Sequence, residues 1–299
     1  MIRLEGITGG ILLRILAAGS FSLMSGLMKL AAESGVSAPE MMFYRAIFGL
    51  PVVLAWVMTG PGLKAIATRR PLMHLWRCAL GVTGILCLFQ ALTLLPLADA
   101  TTLGFTAPMF ATLLSFLFLK EAVGRHRWLA VVVGFVGVMI VMRPGGDPLS
   151  ATGVAFALIG AGFSAGVTVT LRHLSKTEHV AAIVFWFFIA CAVVGALLLP
   201  VFGSLHPPLA FAFLAGAGMA GGVAQLAMTE SLRLAPVSAV TPFDYLQIAG
   251  AVLFGWLALS VAPSVSSLAG AALIIASGLY TAWREQVRRR AVTAPTPPI

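Results

Sequence analysis

The chain has 299 residues, of which 60% are hydrophobic and only 10% are charged. A water-soluble protein carries about a quarter charged residues, so this composition excludes a soluble globular protein and indicates that lipid surrounds most of the chain. The net charge of +9 lies in short segments between apolar stretches and near the C-terminus, which argues against a nucleic-acid partner.

Apolar stretches of about 20 residues, the length of a helix that crosses a ~30 Å hydrocarbon core, recur along the chain. The first begins like a secretory signal peptide, but it stays apolar through Leu30, which is too long for such a segment. We therefore predict an all-α integral membrane protein. Its ten transmembrane helices are predicted at 9–31, 38–59, 72–94, 98–119, 126–142, 151–171, 180–200, 209–230, 236–259 and 264–283.

The lysines and arginines between these spans predict the orientation. If the N-terminus is cytoplasmic, 15 of the 19 lie in cytoplasmic segments, Arg77 among them, and Arg143 alone lies on the opposite side. The remaining three, Arg14, Lys29 and Arg45, lie within spans. By the positive-inside rule, this bias predicts a multi-pass protein of the cell inner membrane with both termini in the cytoplasm.

The sequence repeats itself at an offset of 140 residues. The segment from Ala91 matches the segment from Ser231 without a gap, including Pro96 with Pro236 and Thr101 with Thr241. A weaker match joins the first span to the sixth. Each half, 1–146 and 147–299, then holds five spans, and an odd number makes the second half enter the membrane from the opposite side. Such inverted repeats are typical of secondary transporters, whose central cavity and site lie between the halves near the midplane.

Several motifs together resemble those of one family. They are L-x-L-x-P-x-A-x-A from Leu92 to Ala100, Pro108 in a Thr-rich fourth span, the Lys120-Glu121 ending, Lys29 late in the first span, and Pro39 and Arg45 in the second. With them the chain resembles the EamA family of the drug/metabolite transporter superfamily over essentially its whole length.

The resemblance implies a five-plus-five helix fold and transport of amino acids, nucleoside-like compounds, vitamins or toxic organic compounds, mostly by export. The second repeat departs from the family pattern, because Ser260 leads into Val261 without the usual acid. The Pro242–Tyr245 run is similar to members linked with S-adenosylmethionine, riboflavin or opine-type metallophore transport.

Charged residues inside spans are the first candidates for a site, because each costs at least ~2.5 kcal/mol at the bilayer centre. Arg45 and Lys29 could hold an anionic group of a substrate, since a guanidinium binds a carboxylate or phosphate through two parallel bonds. The alternative is a surface pair of Arg45 with Glu40 and of Lys29 with Glu33. Arg14 is interpreted as structural, with its charge reaching the headgroups.

Asp244 is interpreted as the only carboxylate deep within a span. Pro242, two residues earlier, frees a backbone carbonyl, and such breaks are tolerated where they line protein or a cavity. The hypothesis is that Asp244 faces the substrate pathway and binds a cationic group or a coupling proton. The alternative is a buried pair with Lys29 or Arg45 that only holds the halves together.

Polar and aromatic residues at similar depth are candidates for lining the substrate pathway. Three of them, Tyr44, Trp186 and Tyr245, could stack on a flat ligand, although membrane aromatics often form interfacial belts. The full set is Tyr44, Gln90, Thr101, Thr102, Phe105, Thr106, Thr168, Trp186, Gln225, Tyr245 and Gln247.

The sequence therefore predicts a secondary active transporter for a small organic metabolite, such as an amino acid, S-adenosylmethionine or riboflavin, with export favoured over import. A multidrug exporter and a channel or receptor are the alternatives. No HExxH, GxSxG or GxxxxGK[ST] motif occurs, so neither an enzyme nor an ATP-driven pump is expected. We expect no cofactor or metal, protons as a candidate coupling ion, and a monomer or homodimer.

Overall fold

The computed structural model describes residues 6–119, 124–143 and 148–293. Two short 3-10 turns, Leu63–Ile66 and Thr241–Tyr245, accompany the α-helices of this part of the chain. The helices are α1 (Gly6–Glu33), α2 (Ala38–Thr59), α3 (Pro71–Leu94), α4 (Leu97–Gly104), α5 (Ala107–Leu119), α6 (Arg125–Val141), α7 (Ala151–Leu174), α8 (Val180–Phe202), α9 (Pro208–Leu234), α10 (Val237–Val240), α11 (Leu246–Leu259) and α12 (Val265–Thr293).

The helices confirm the predicted all-α membrane architecture. Within the described ranges, nine helical segments are long and apolar enough to cross a membrane. The predicted span 126–142 corresponds to α6, whose 17 residues cover about 26 Å at 1.5 Å per residue. The fourth predicted span consists of α4 and α5, and the ninth of α10, the second 3-10 turn and α11. The predicted Lys120-Glu121 ending lies outside the described residues.

Local sequence signals explain where the helices begin. Ser37 caps α2 by accepting a hydrogen bond from the backbone N–H of Glu40, whose carboxylate in return accepts from the N–H of Ser37. Such a reciprocal cap satisfies two helix-end donors. Pro71 and Pro208 begin α3 and α9, where the missing N–H costs no intrahelical bond. Gly35 has a φ of 86°, which a glycine adopts without strain, and it turns the chain from α1 into α2.

Two spans are broken at equivalent positions of the repeat. The fourth span is interrupted at Phe105 and Thr106, and the ninth leaves α-helical geometry from Thr241 to Tyr245. Phe105 and Tyr245 are 140 residues apart, the offset of the repeat. Their rings contact each other, with centroids 5.3 Å apart. The two breaks therefore meet between the halves.

The packing of the helices follows the repeat. The most extensive contact joins α1 of the first half to α9 of the second, and the equivalent exchanged pair, α7 with α3, also packs extensively. The helices α6 and α12, and likewise α2 and α8, are repeat equivalents that pack against each other. Exchanging the halves thus maps these contacts onto themselves, as expected for two halves related by a pseudo-two-fold axis.

Glycines allow several helices to approach at backbone distance. A Cβ added to Gly222 of α9 would lie 2.9 Å from the carbonyl oxygen of Gly49 in α2. A Cβ on Gly270 of α12 would lie 2.6 Å from the carbonyl oxygen of Gly137 in α6. Because lipid is as apolar as leucine, helix association in a membrane depends on such close packing.

The contacts also distinguish the two sides of the bundle. Gly10, near the start of α1, packs against Ala235, just after α9, and His126 at the start of α6 contacts Tyr280 near the end of α12. We call the side on which α1 begins and α12 ends the tail side, and the opposite side the far side.

Candidate functional site

A partly buried ion pair joins α1 to the broken ninth span in the tail-side half of the bundle, with the Arg14 side chain 7% and the Asp244 side chain 21% exposed. The Arg14 guanidinium donates from Nε to Oδ1 of Asp244 and from Nη2 to Oδ2, both at 2.5 Å. Its Nη1 lies 3.3 Å from the Oγ of Ser231. Because Arg14 is only 6% exposed, the interpretation that its charge reaches the headgroups is wrong. The expected alternative partners of Asp244, Lys29 and Arg45, are not the residues that pair with it.

A second, partly buried charge cluster lies on the far side. Nη2 of Arg143 donates to Oδ2 of Asp99 at 3.0 Å and to the Oγ of Ser267 at 2.7 Å. This contact joins the start of α4, the end of α6 and the start of α12. Asp99 is a buried carboxylate in the first turn of α4, which the sequence analysis did not select. Arg143, counted from the sequence as a loop cation, is also part of this cluster.

Lys29 lies beside the far-side cluster. Its ammonium donates to the carbonyl oxygens of Leu92 and Leu95 at 3.1 and 3.0 Å, so it caps the end of α3 rather than pairing with Glu33 at the surface. Lys29, Glu33, Asp99 and Ser267 all border a cavity of about 110 Å³. Sites for small organic ligands usually measure ~300–1,000 Å³, so this cavity has room for a few water molecules rather than for a metabolite.

Arg45 lies in the middle of the bundle and is only 1% exposed. Its Nη2 lies 3.5 Å from Oε1 of Gln225, and its Nε lies 3.2 Å from the sulfur of Met24. The guanidinium carbon also lies 5.0 Å from the ring centroid of Phe188, a cation–π distance. The structure thus brings together Arg45 and Gln225, two residues that the sequence analysis selected.

The expected surface pair of Arg45 with Glu40 does not form. Oε1 of Glu40 instead lies 2.8 Å from Nε2 of His206 and accepts a hydrogen bond from the N–H of Ser204 at 2.9 Å. These contacts tie the start of α2 to the loop between α8 and α9. Glu40 therefore binds Ser204 and His206 on the far side, and it does not pair with Arg45.

A second buried arginine, Arg77 of α3, contacts the same aromatic group. It is 1% exposed, and its guanidinium carbon lies 3.8 Å from the ring centroid of Phe187, whereas that of Arg45 lies 5.7 Å from the same centroid. Counting Arg77 among the charges of the cytoplasmic loops is wrong, because it lies buried within α3. The missed signal is that the predicted span 72–94 already encloses it.

We call Arg45, Arg77, Phe187 and Gln225 the central arginine cluster. Four buried nitrogen atoms of this cluster have no hydrogen-bond acceptor among the described residues: Nη1 of Arg45, Nε and Nη1 of Arg77, and Nε2 of Gln225. In the same part of the chain, no Asp or Glu forms an ion pair with either arginine. The cluster therefore has hydrogen-bond donors and positive charge in excess.

Glycines make the space that these guanidinium groups occupy. A Cβ on Gly81, one turn after Arg77, would lie 2.5 Å from its Nη1, and a Cβ on Gly221 would lie 3.1 Å from Nε of Arg45. Both arginines thus fit against helix backbone where a larger residue would displace them.

Other predicted residues lie at the paired breaks. Phe105 contacts Tyr245, as described above, and the hydroxyl of Tyr245 abuts Gly278 in α12. Thr101 lies in α4 with Thr102, which is buried, and Thr106 donates to the carbonyl oxygen of Leu103 at 2.7 Å. Thr106 thus satisfies a backbone carbonyl at the break in the fourth span.

The remaining candidates lie elsewhere in the bundle. Trp186 is 38% exposed and its indole donates to the carbonyl oxygen of Ile66 at 3.0 Å, which places it at the tail-side surface. Tyr44 packs edge-on against Phe211 toward the far side. The others make local contacts: Thr168 is exposed and bonds its own helix, Gln90 contacts Thr93, and the carbonyl of Gln247 accepts from Ser22.

The fold and these buried charges define a class: a polytopic membrane protein whose equivalent halves enclose polar groups. The model of the EamA-like transporter family matches residues 8–143 and 151–283. The chain belongs to the EamA-like transporter family, as the sequence motifs indicated.

Three similar proteins are named as transporters. A riboflavin transporter of Rhizobium johnstonii is 32% identical over 294 residues, covering 94% of this chain and 93% of that protein. The pseudopaline exporter CntI of Pseudomonas aeruginosa is 29% identical over 274 residues, covering 91% and 95%. An S-adenosylmethionine uptake transporter of Rickettsia conorii is 25% identical over 247 residues, covering 83% of each.

A solved crystal structure of a protein shares the fold. It superimposes with a TM-score of 0.66 over 95% of this chain and 98% of the other, at 18% identity. At this identity the likeness supports the architecture and nothing finer.

Proposed function

We propose that the protein is a secondary active transporter that moves a small organic metabolite across the inner membrane by alternating access. The substrate would be an amino acid, an amino-acid derivative such as S-adenosylmethionine, or a vitamin such as riboflavin, and export is the proposed direction. The similar proteins named above support a small-metabolite substrate, because their names give riboflavin, pseudopaline and S-adenosylmethionine as the transported compounds.

The central arginine cluster carries this proposal. Its members come equally from both repeats: Arg45 and Arg77 from α2 and α3, Phe187 and Gln225 from α8 and α9. In transporters built from inverted repeats, the substrate site lies between the repeats near the midplane. Buried charges without partners are expensive in a membrane and mark functional positions.

Two ion-pair clusters fit the roles of gates. In this proposal the Arg14–Asp244 pair would close the tail side and the Arg143–Asp99–Ser267 cluster the far side, because each joins helices of both halves there. We propose that rocking of the halves, 1–146 against 147–299, opens one cluster while the other stays closed. Asp244, released from Arg14, would then be free to take up a coupling proton or a cationic group of the substrate.

Counterflow in proteoliposomes tests the transport function. Purified protein is challenged with amino acids, S-adenosylmethionine, riboflavin and nucleosides, alongside Arg45→Ala, Asp244→Asn and the control Thr168→Ala. We expect saturable exchange of one class of compound, lowered at least about tenfold in the first two variants, the factor that ~1.4 kcal/mol of lost binding produces. The control should exchange like the wild type.

Three results would contradict the proposal. The first is flux that does not saturate, which would indicate a channel. The second is exchange that Arg45→Ala and Asp244→Asn leave unchanged. The third is a folded protein that exchanges none of these compounds.

A further inference from the structure

The two central arginines are buried, and no carboxylate of the described residues neutralises their charge. Arg45 and Arg77 carry the same charge and both lie against Phe187. Removing a charge from water costs several kcal/mol, and a partner of opposite charge normally offsets this cost. Contacts with Phe187 and Phe188 offset a part, because a desolvated cation–π contact is worth about 2 kcal/mol. The rest of this desolvation cost would be offset by a bound ligand of opposite charge.

The unpaired atoms indicate what this ligand offers. Nη1 of Arg45, Nε and Nη1 of Arg77, and Nε2 of Gln225 are all donors, so the complement is a group with several acceptor oxygens. Arginine's planar fork matches carboxylate and phosphate oxygens. Nε and Nη1 of Arg77 lie on different edges of one guanidinium, so each can donate to a separate acceptor oxygen.

The position of the cluster in the membrane fits a site that is reached from both sides in turn. Arg45 lies seven residues after Ala38, at the far-side start of α2, which places its Cα about 10 Å into the helix. Arg77 lies six residues after Pro71, about 9 Å from the tail-side start of α3. The two long side chains thus extend from opposite sides toward the same ring in the middle of the bundle.

We propose that the transported substrate carries a carboxylate or phosphate group, which binds between Arg45 and Arg77 with the Gln225 amide as a further donor. This inference rests on the proposed transport function and narrows it: an anionic metabolite is the substrate, and an uncharged one such as riboflavin is not. Phe187, Phe188 and Met24 place an apolar surface beside the anion, where the organic part of the substrate packs.

The charge of Arg77 also affects the stability of the protein without ligand. If Arg77 binds the anionic group of the substrate, its charge has no counter-ion in the ligand-free protein and destabilises it. Arg77→Met keeps much of the side-chain volume and removes the charge, so it should raise the midpoint of thermal unfolding. A gain of about 1 kcal/mol corresponds to a rise of roughly 2 °C or more. If Arg77 only supports the fold, the same variant should lower the midpoint.

The test measures thermal unfolding of the purified full chain in detergent, with inorganic phosphate as the probe. Phosphate is varied against sodium chloride at constant ionic strength, in the wild type, Arg45→Met, Arg77→Met and the control Arg69→Met. Arg69 is an exposed cation in the loop between α2 and α3. We expect phosphate to raise the midpoint saturably in the wild type and the control, because a ligand that binds only the folded state stabilises it. Arg45→Met and Arg77→Met should lose this response.

Several outcomes would overturn the inference. They are a wild type that phosphate does not stabilise, an equal effect of chloride and phosphate, and an Arg77→Met variant that still responds. A lowered midpoint, or failure to fold, in Arg77→Met would also overturn it, since the guanidinium would then be structural.

A transport measurement separates this inference from the proposed function. Flavin mononucleotide and riboflavin share a ring and differ by a phosphate, as octopine and its dimethyl ester differ in charge at two carboxylates. Exchange of the charged member of either pair, lost in Arg77→Met, supports both proposals. Exchange of riboflavin that is unchanged in Arg77→Met refutes the anion site and leaves a carrier. A phosphate response without exchange of any compound refutes the carrier and leaves the anion site.

Discussion

The charged side chains inside the spans fall into two groups with different consequences. Arg14 pairs with Asp244, and Arg143 with Asp99, across the bundle, although Oδ1 of Asp99 and Nε of Arg143 have no partner among the described residues. A buried pair of this kind contributes little net stability, but removing one partner leaves an uncompensated charge and costs ~3–5 kcal/mol. Arg45 and Arg77 lack such partners among the described residues, so changes there should have the opposite effect on stability.

The first prediction concerns the paired group. Asp244→Asn should destabilise the protein by about 3 kcal/mol, because the buried Arg14 charge then has no anion. This corresponds to a lower midpoint of thermal unfolding by roughly 6 °C or more in detergent. The double variant Arg14→Met/Asp244→Leu should recover most of the loss, since it removes both charges.

The exposed pair of Glu230 with Arg233 provides a matched control. Arg233 extends from the last turn of α9 and its side chain is 56% exposed. Such a pair contributes less than ~1 kcal/mol, so Glu230→Gln should leave the unfolding midpoint nearly unchanged. If Glu230→Gln and Asp244→Asn lowered the unfolding midpoint equally, the burial of Arg14, compared with the exposed Arg233, would have no energetic consequence.

At this scale the sequence identified the right residue types but not their partners. Composition and span boundaries selected Arg45, Lys29 and Asp244 because charges are rare in spans. The pairing of Asp244 with Arg14 joins residues 230 positions apart, and it depends on how α1 packs against the ninth span. Periodicity within one helix carries no information about such a contact.

The elements show how the repeat shapes the bundle. The break in the ninth span could be predicted because Pro242 removes a backbone donor. The equivalent break at Phe105 and Thr106 precedes Pro108, which cannot donate to the carbonyl oxygen of Gly104 four residues earlier, and it lies where Phe105 contacts its repeat equivalent Tyr245. Pro108 and Pro242 thus indicate both breaks in the sequence, whereas the contact between Phe105 and Tyr245 depends on how the two halves pack.

The second prediction concerns the close approach of α2 and α9. Gly222→Ala places a methyl group 2.9 Å from the carbonyl oxygen of Gly49 and 3.1 Å from Cβ of Val52. Backbone atoms cannot move away as a flexible side chain can, so the variant should lose about 1–3 kcal/mol of stability. The measurement is thermal unfolding in detergent.

Gly19 is the matched control for this substitution, because it also lies within a long helix but a Cβ there would meet nothing within 4 Å. Gly19→Ala should leave the stability unchanged or raise it by up to ~1 kcal/mol through helix propensity. If Gly222→Ala were as stable as Gly19→Ala, the α2–α9 contact would be looser than the structure shows. The central arginine cluster would then lack the rigid support that these helices give to Arg45 and Gln225.

For the whole molecule, the two sides differ in charge more sharply than the sequence count suggested. Arg77 belongs to the central cluster and Arg143 is paired with Asp99, so neither is a free loop cation. With Arg143 set aside, the far-side connections hold no lysine or arginine at all in the sequence, whereas the tail-side connections still carry most of them. The positive-inside rule then predicts that the tail side faces the cytoplasm.

Cysteine labelling in intact cells tests this orientation. Leu205→Cys lies in the far-side loop between α8 and α9, where Leu205 is fully exposed at 100%, and Lys64→Cys lies in the exposed tail-side loop between α2 and α3. A membrane-impermeant maleimide should label the first variant in intact cells and the second only after permeabilisation. The wild-type chain is the control, because Cys78 and Cys191 are buried and Cys87 is partly buried. Labelling of Lys64→Cys but not Leu205→Cys in intact cells would place the tail side outside. The Arg14–Asp244 pair would then close the outer side of the membrane, and the far-side cluster the inner one.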